Sequence, residues 1–128
     1  MSSPVFHHVA TIVSNLKQAA HLYGDILGLE QDVRPDLEFD GLFYKLGNGQ
    51  QLHLMQLDNP EKDNIRPEHG GRHHHFALAV PDLECIQAKL DVEGITYTTS
   101  KSGRAAVFFY DMDGNAIELM QASSTVGQ

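Results

Sequence analysis

Two phrases of this 128-residue chain nearly repeat one another, QLHLMQ at residues 51–56 and AIELMQ at 116–121, with Glu118 in the second where the first has His53. Two further histidines open matching strand-like runs, His8 in HVATIV and His75 in HFALAV. Neutral imidazoles with one carboxylate are a donor set for a divalent ion: zinc, nickel, cobalt, iron or manganese, and spacing alone does not choose among them. A single histidine in an apolar strand is more often a hydrogen-bonded filler, and His7, His21, His69, His73 and His74 are read that way. The other four form a symmetric set. A carboxylate buried between Ile117 and Leu119 is costly without compensation, and a divalent cation supplies it directly.

The elements that would carry these residues are written twice. HVATIVSNLKQAAHLYGDILGL (8–29) and HFALAVPDLECIQAKLDVEGI (75–95) both read as histidine, alternating strand, helix cap, amphipathic helix and glycine stop. Ser14 or Asn15 caps the first helix, whose apolar positions Leu16, Ala19, Ala20, Tyr23, Ile26 and Leu27 recur at helical spacing before Gly28. Asp82 caps the second, with Leu83, Ile86 and Leu90 as its buried stripe and Gly94 closing it. Hairpins come next, around Asn48-Gly49 in 43–55 and around Asp113-Gly114 in 106–120. The fold class is therefore α+β, two tandem βαβββ units that pair to form a curved mixed sheet around a metal cavity. The whole of 1–128 reads as a single domain: unit one at about 5–57, a polar linker at about 58–72 and unit two at about 73–121. The linker, DNPEKDNIRPEHGGR, reads as a crossover or a binding loop.

Strand alternation places the four donors on one kind of face. Phe76, Leu78 and Val80 lie opposite His75, Ala77 and Ala79, and Leu52 and Leu54 lie opposite Gln51, His53 and Met55. Ile117 and Leu119 likewise lie opposite Ala116, Glu118 and Met120. The bulky face covers the helix, and all four donors fall on the other. A pseudo-two-fold pairing of the units would bring them together.

Composition narrows the partners. A formal net charge of −8 argues against a broad nucleic-acid or anionic-membrane surface, because both need clustered Lys and Arg. No stretch approaches the roughly eighteen apolar residues of a membrane span, and no leader is recognised at the N-terminus, so a cytoplasmic protein with a small-molecule substrate is expected. Cys85 is unique in the chain and reads as a small buried side chain in a helix.

On these residues the chain resembles the vicinal oxygen chelate superfamily, the glyoxalase, bleomycin-resistance and extradiol dioxygenase fold. The resemblance runs over residues 5–121 through FHHVATIVSNLKQAAHLYGDILGLE, LHLMQ, HHHFALAVPDLECIQAKL and FFYDMDGNAIELMQ. It implies that the ligand places of the family fall on His8, His53, His75 and Glu118. It also implies a metal-dependent lyase or isomerase of the glyoxalase I-like group, which binds two adjacent substrate oxygens and stabilises an enediolate-like anion. Glu118 would be the catalytic carboxylate, and glutathione or another thiol a candidate co-substrate. Where related isomerases carry a second carboxylate beside the metal this chain has His53, a departure from ordinary glyoxalase I. Two alternatives share the fold: an iron(II) extradiol-type dioxygenase, disfavoured by the fourth ligand His53 and by Phe108 ten places before Glu118 where those enzymes have tyrosine, and a non-catalytic resistance protein that sequesters a small molecule. Arg72 and Arg104 are the candidates to hold a substrate carboxylate, with Arg34 and Lys101 behind them. A homodimer is expected, with ligands drawn from one chain or from two, burying the open edge of the first strand.

Overall fold

In a computed structural model, which describes residues 3–123, the two repeated phrases form the same strand of two like sheets. Unit one contains β1 (His8–Val13), α1 (Leu16–Ala20), β2 (Glu30–Asp32), β3 (Gly41–Lys45) and β4 (Gln51–Gln56). Unit two contains β5 (His75–Val80), α2 (Leu83–Val92), β6 (Thr98–Thr99), β7 (Ala106–Tyr110) and β8 (Ala116–Gln121). The strand orders are β1-β4-β3-β2 and β5-β8-β7-β6, with the first pair parallel and the others antiparallel in each. Both are the mixed four-stranded sheets of a βαβββ unit, as the repeat predicts.

The last residue of the repeated phrase has a structural task. The first N–H groups of a helix lack partners within it, and here a glutamine at the end of the parallel neighbour strand supplies one. Gln56 Oε1 accepts from the Leu16 N–H at 3.1 Å, and Gln121 Oε1 accepts from the Leu83 N–H at 2.9 Å. Asn15 and Asp82 complete the caps by accepting from the Gln18 and Cys85 N–H groups. Gln121 also donates to the Pro81 carbonyl at 2.6 Å, and its bond to Leu83 is part-buried where that of Gln56 is exposed. We expect Gln121→Ala to lower unfolding stability by about 1 kcal/mol and Gln56→Ala by less, as read from urea unfolding midpoints.

The first helix does not stay an α-helix. Beyond Ala20 it widens into π-helical turns over His21–Ile26, with the Leu27 N–H bonded to the Leu22 carbonyl five residues back. Leu22, Tyr23, Ile26 and Leu27 are all buried, as are Leu52 and Leu54 of β4, and the Tyr23 ring lies beside that of Tyr44 in β3. In unit two, Leu83, Ile86 and Leu90 of α2 are buried, as are Ile117 and Leu119 of β8. Gly94, at φ 72°, ends α2 in the left-handed conformation, which lets the Ile95 N–H reach back to the Leu90 carbonyl at 2.9 Å.

One expectation needs amendment. Cys85 is exposed: the buried stripe of α2 runs through positions 83, 86 and 90, and Cys85 lies off it. The compact units divide between Lys62 and Asp63, a point within the expected linker, whose first part goes with unit one. Its second part belongs to unit two, where the Tyr110 hydroxyl donates to the Pro67 carbonyl and residues Gly70–Arg72 form a 3-10 turn leading into β5. Among the described residues no helix is long and apolar enough to cross a membrane.

Candidate metal centre

In unit one the parallel register sets Ala10 opposite His53 and His8 opposite Gln51, so both histidines share a sheet face. Their rings stack with centroids 4.2 Å apart and planes 15° from parallel. From the other side, β3 sets Phe43 opposite His53, and those rings stack at 3.6 Å and 4°. The imidazole of His53 is thus held between two rings.

Its tautomer is set by a relay. Gln51 donates its amide N–H to Asp32 Oδ2 at 2.9 Å, which turns its carbonyl oxygen towards His53 Nε2, also at 2.9 Å. A carbonyl only accepts, so Nε2 carries the proton and Nδ1 keeps its lone pair. The bond from Gln51 is also the first reason that Asp32 titrates below the usual carboxylate range. Burial first, then unfavourable electrostatics from His8, His7 and Arg34, pushes the His53 pKa below its ordinary value. His53 is therefore neutral at pH 7, the form that binds a metal.

Unit two repeats the register with different chemistry. Ala77 stands opposite Glu118 and His75 opposite Ala116, while Phe108 takes the place of Phe43 across the ladder. Glu118 is 2% exposed, and its oxygens have separate partners: Oε1 lies 3.3 Å from His75 Nε2, and Oε2 accepts from Arg104 at 2.7 Å. His75 Nδ1 donates to the His73 carbonyl at 2.7 Å, so in the neutral ring Nε2 turns a lone pair towards the carboxylate.

A metal-binding histidine usually ties its far ring N–H to a carbonyl or carboxylate, as His75 does here, and two ligands of one tetrahedral ion stand roughly 3.3–3.6 Å apart when each bond is ~2.0–2.2 Å. The spacing of His75 Nε2 and Glu118 Oε1, 3.3 Å, lies at the short end of that range. The His75–Glu118 pair therefore fits as two donors to a divalent ion, and among the described residues no three His, Cys, Asp or Glu side chains stand together as one group.

Of the anion-binding candidates, Arg104 has its guanidinium on Glu118, and Arg72 is exposed on the turn before β5. Arg34 lies over Phe39 and Phe43, with its carbon 5.1 and 5.9 Å from their ring centres, and donates to the Phe39 carbonyl. Sequence reasoning passed over Gln51, His7, His69 and Phe43. His7 Nδ1 is 2.9 Å from His8 Nδ1, and His69 bonds Thr98 Oγ1 while its ring meets the Phe108 edge at 4.8 Å. Gln51 had a signal: two places before His53 in a strand, it must share the same face. Phe43 had another, since it precedes His53 by the interval that separates Phe108 from Glu118.

Comparison with known proteins gives a consistent picture. A family model described as the Glyoxalase/Bleomycin resistance protein/Dioxygenase superfamily matches residues 7–110. The chain is 27% identical to human mitochondrial methylmalonyl-CoA epimerase, over 91% of this chain and 73% of that protein. Among solved structures it is similar to lactoylglutathione lyase from Agrobacterium tumefaciens, at TM-score 0.64 and 24% identity over 94% of this chain and 96% of that one. It also resembles a mutant of the fosfomycin resistance protein FosX from Listeria monocytogenes, solved with Mn(II) and a dihydroxypropylphosphonic acid, at TM-score 0.68 and 18% identity over 97% and 95% of the two chains.

Proposed function

The chain belongs to the glyoxalase/bleomycin resistance protein/dioxygenase superfamily, and on that premise we propose that it is a divalent-metal-dependent enzyme of lyase or isomerase type, acting on a small substrate with two adjacent oxygens. His8, His53, His75 and Glu118, supplied by one chain or by two copies, would hold the ion. The observation that carries this reading is the convergence of His75 Nε2 and the buried Glu118 Oε1 at 3.3 Å, with the far nitrogen of His75 already tied to a backbone carbonyl.

When bound, such an ion polarises substrate oxygens and stabilises the negative charge that develops as a neighbouring proton leaves. The chain's own residues do the rest. The Asp32–Gln51 relay holds His53 in one tautomer, and the Phe43 stack fixes its plane. Glu118 is the one carboxylate among the four donors, so it is the group able to take a proton from substrate carbon at Oε1 or Oε2 and return it. Protonation of the planar anion from the opposite face, by a second donor such as solvent, gives epimerisation, the reaction class named for the human relative. Return to the adjacent carbon gives isomerisation.

The test has two stages. Untagged wild-type protein should carry about one divalent ion per chain by elemental mass spectrometry, and His53→Ala and Glu118→Ala should lose it. The loaded wild type, in deuterated water, should then exchange the acidic C–H of methylmalonyl-CoA or of a 2-oxoaldehyde–glutathione adduct, and the Glu118 variant should not. A wild type that stays empty after incubation with manganese, nickel, cobalt, zinc and iron(II) would refute the metal reading.

A further inference from the structure

We propose that Arg104 is a resident rival of the metal at Glu118, and that its displacement couples metal loading to the capture of a substrate anion. This rests on the reading of Glu118 as a metal ligand. The two partners of the ion pair are held very differently: the Glu118 side chain is 3% exposed and that of Arg104 is 53% exposed. The carboxylate is fixed in the middle of β8, between Ile117 and Leu119, which are fully buried. The guanidinium reaches it from an exposed loop position before β7, on a long stem with one end in solvent.

Charge decides which partner gives way. Arg104 and Glu118 neutralise one another across 2.7 Å. A divalent ion drawn to the same carboxylate meets the guanidinium as a like charge in a poorly solvated place, where repulsion is strong. The partner that can move is Arg104. Once moved, it and the ion leave a surplus of positive charge beside a single carboxylate, and a planar fork able to grip an oxyanion with two hydrogen bonds. The ligand class implied is a carboxylate, phosphonate or phosphate group on the substrate. In unit one the polar partner of His53 is the neutral amide of Gln51. Binding free energies are reciprocal, so an anion that takes Arg104 away from Glu118 must tighten the metal by the factor with which the metal tightens the anion.

Mn2+ titration calorimetry on the full chain at pH 8, in chloride and in sulfate at equal ionic strength, reads this out without any turnover. Arg104→Gln should bind Mn2+ on the order of tenfold tighter than wild type in chloride, because the competing charge is gone. Sulfate should tighten wild-type binding by about fivefold or more and leave Arg104→Gln unchanged. Arg104→Lys, which keeps the charge but not the fork, should lie between the two and guards against a folding defect, checked by circular dichroism. If Arg104→Gln is folded and binds Mn2+ as weakly as wild type or more weakly, Arg104 supports the ligand rather than opposing it, and the proposal is overturned. A sulfate effect that survives in Arg104→Gln overturns the anion arm. Both results presuppose wild-type binding that His53→Ala abolishes; a wild type that takes up no Mn2+ overturns the metal reading and this proposal together.

Discussion

Glu118→Met abolishes metal binding, yet with a chelator present the variant is as stable as the parent or more so. Loss of the ligand removes the only negative charge among the four donors. Outer-shell partners alone are worth about 10–100-fold in metal affinity, so the loss should reach or exceed the top of that range. Stability moves the other way. Glu118 is buried among apolar neighbours and is compensated by an arginine whose side chain is half in solvent. Removing one partner of a buried pair is costly when the other charge stays buried, but Arg104 has its side chain half in solvent and is hydrated once released, so its lost contact is offset by relief of the buried carboxylate's desolvation. Methionine also has the flexibility to fill the space beside Phe108 and Ala77. Urea unfolding with EDTA and calorimetric Mn2+ titration give the two numbers. A large loss of stability with the chelator present would mean that Glu118 is a structural keystone, and retained Mn2+ affinity would remove it from the ligand set.

The repeat was legible because it is written in residues whose roles are local. Strand alternation, helix caps and glycine stops each depend on a few neighbours in sequence, so His8 and His75, and His53 and Glu118, could be matched without knowing how the units fold. The layer around those residues was harder to read. Arg104 reaches Glu118 from a loop, where no period ties a long side chain to a direction, so nothing in the sequence joined the two. The Asp32–Gln51–His53 relay joins β2 to β4, which are not neighbours in the sheet, so no pairing rule points to it. Cys85 shows the reverse case: the 83, 86, 90 stripe that leaves it exposed was already in the sequence, and a residue-type preference for burial was allowed to outweigh it.

Gly41→Ala should be among the most damaging small substitutions in the chain, and it should damage both the sheet and the His53 site. A Cβ at Gly41 would stand 2.4 Å from the Leu54 carbonyl oxygen, and 2.8 and 2.9 Å from Arg34 Nε and Cζ. The first of these atoms is backbone in the neighbouring strand and cannot rotate away. β3 must therefore lift from β4 at the Gly41–Met55 end, two residues from the pairing of Phe43 with His53. Overpacking of this kind costs about 1–3 kcal/mol, and a backbone obstacle puts it at the upper end. Arg34 is displaced with it, and its guanidinium loses its place over Phe39 and Phe43. The ring that flattens His53 then loses one of its own supports, so metal affinity should fall together with stability. Gly47→Ala is the control: a Cβ there meets nothing within 4 Å, and Gly47 is not among the glycines at positive φ, so its effect should stay within about 0.5 kcal/mol. Thermal melts of both variants with a chelator, then Mn2+ titration, separate the two effects. A Gly41→Ala protein that melts with the Gly47→Ala control would show that β3 and β4 can separate at that end without penalty, and that the His53 stack does not depend on their spacing.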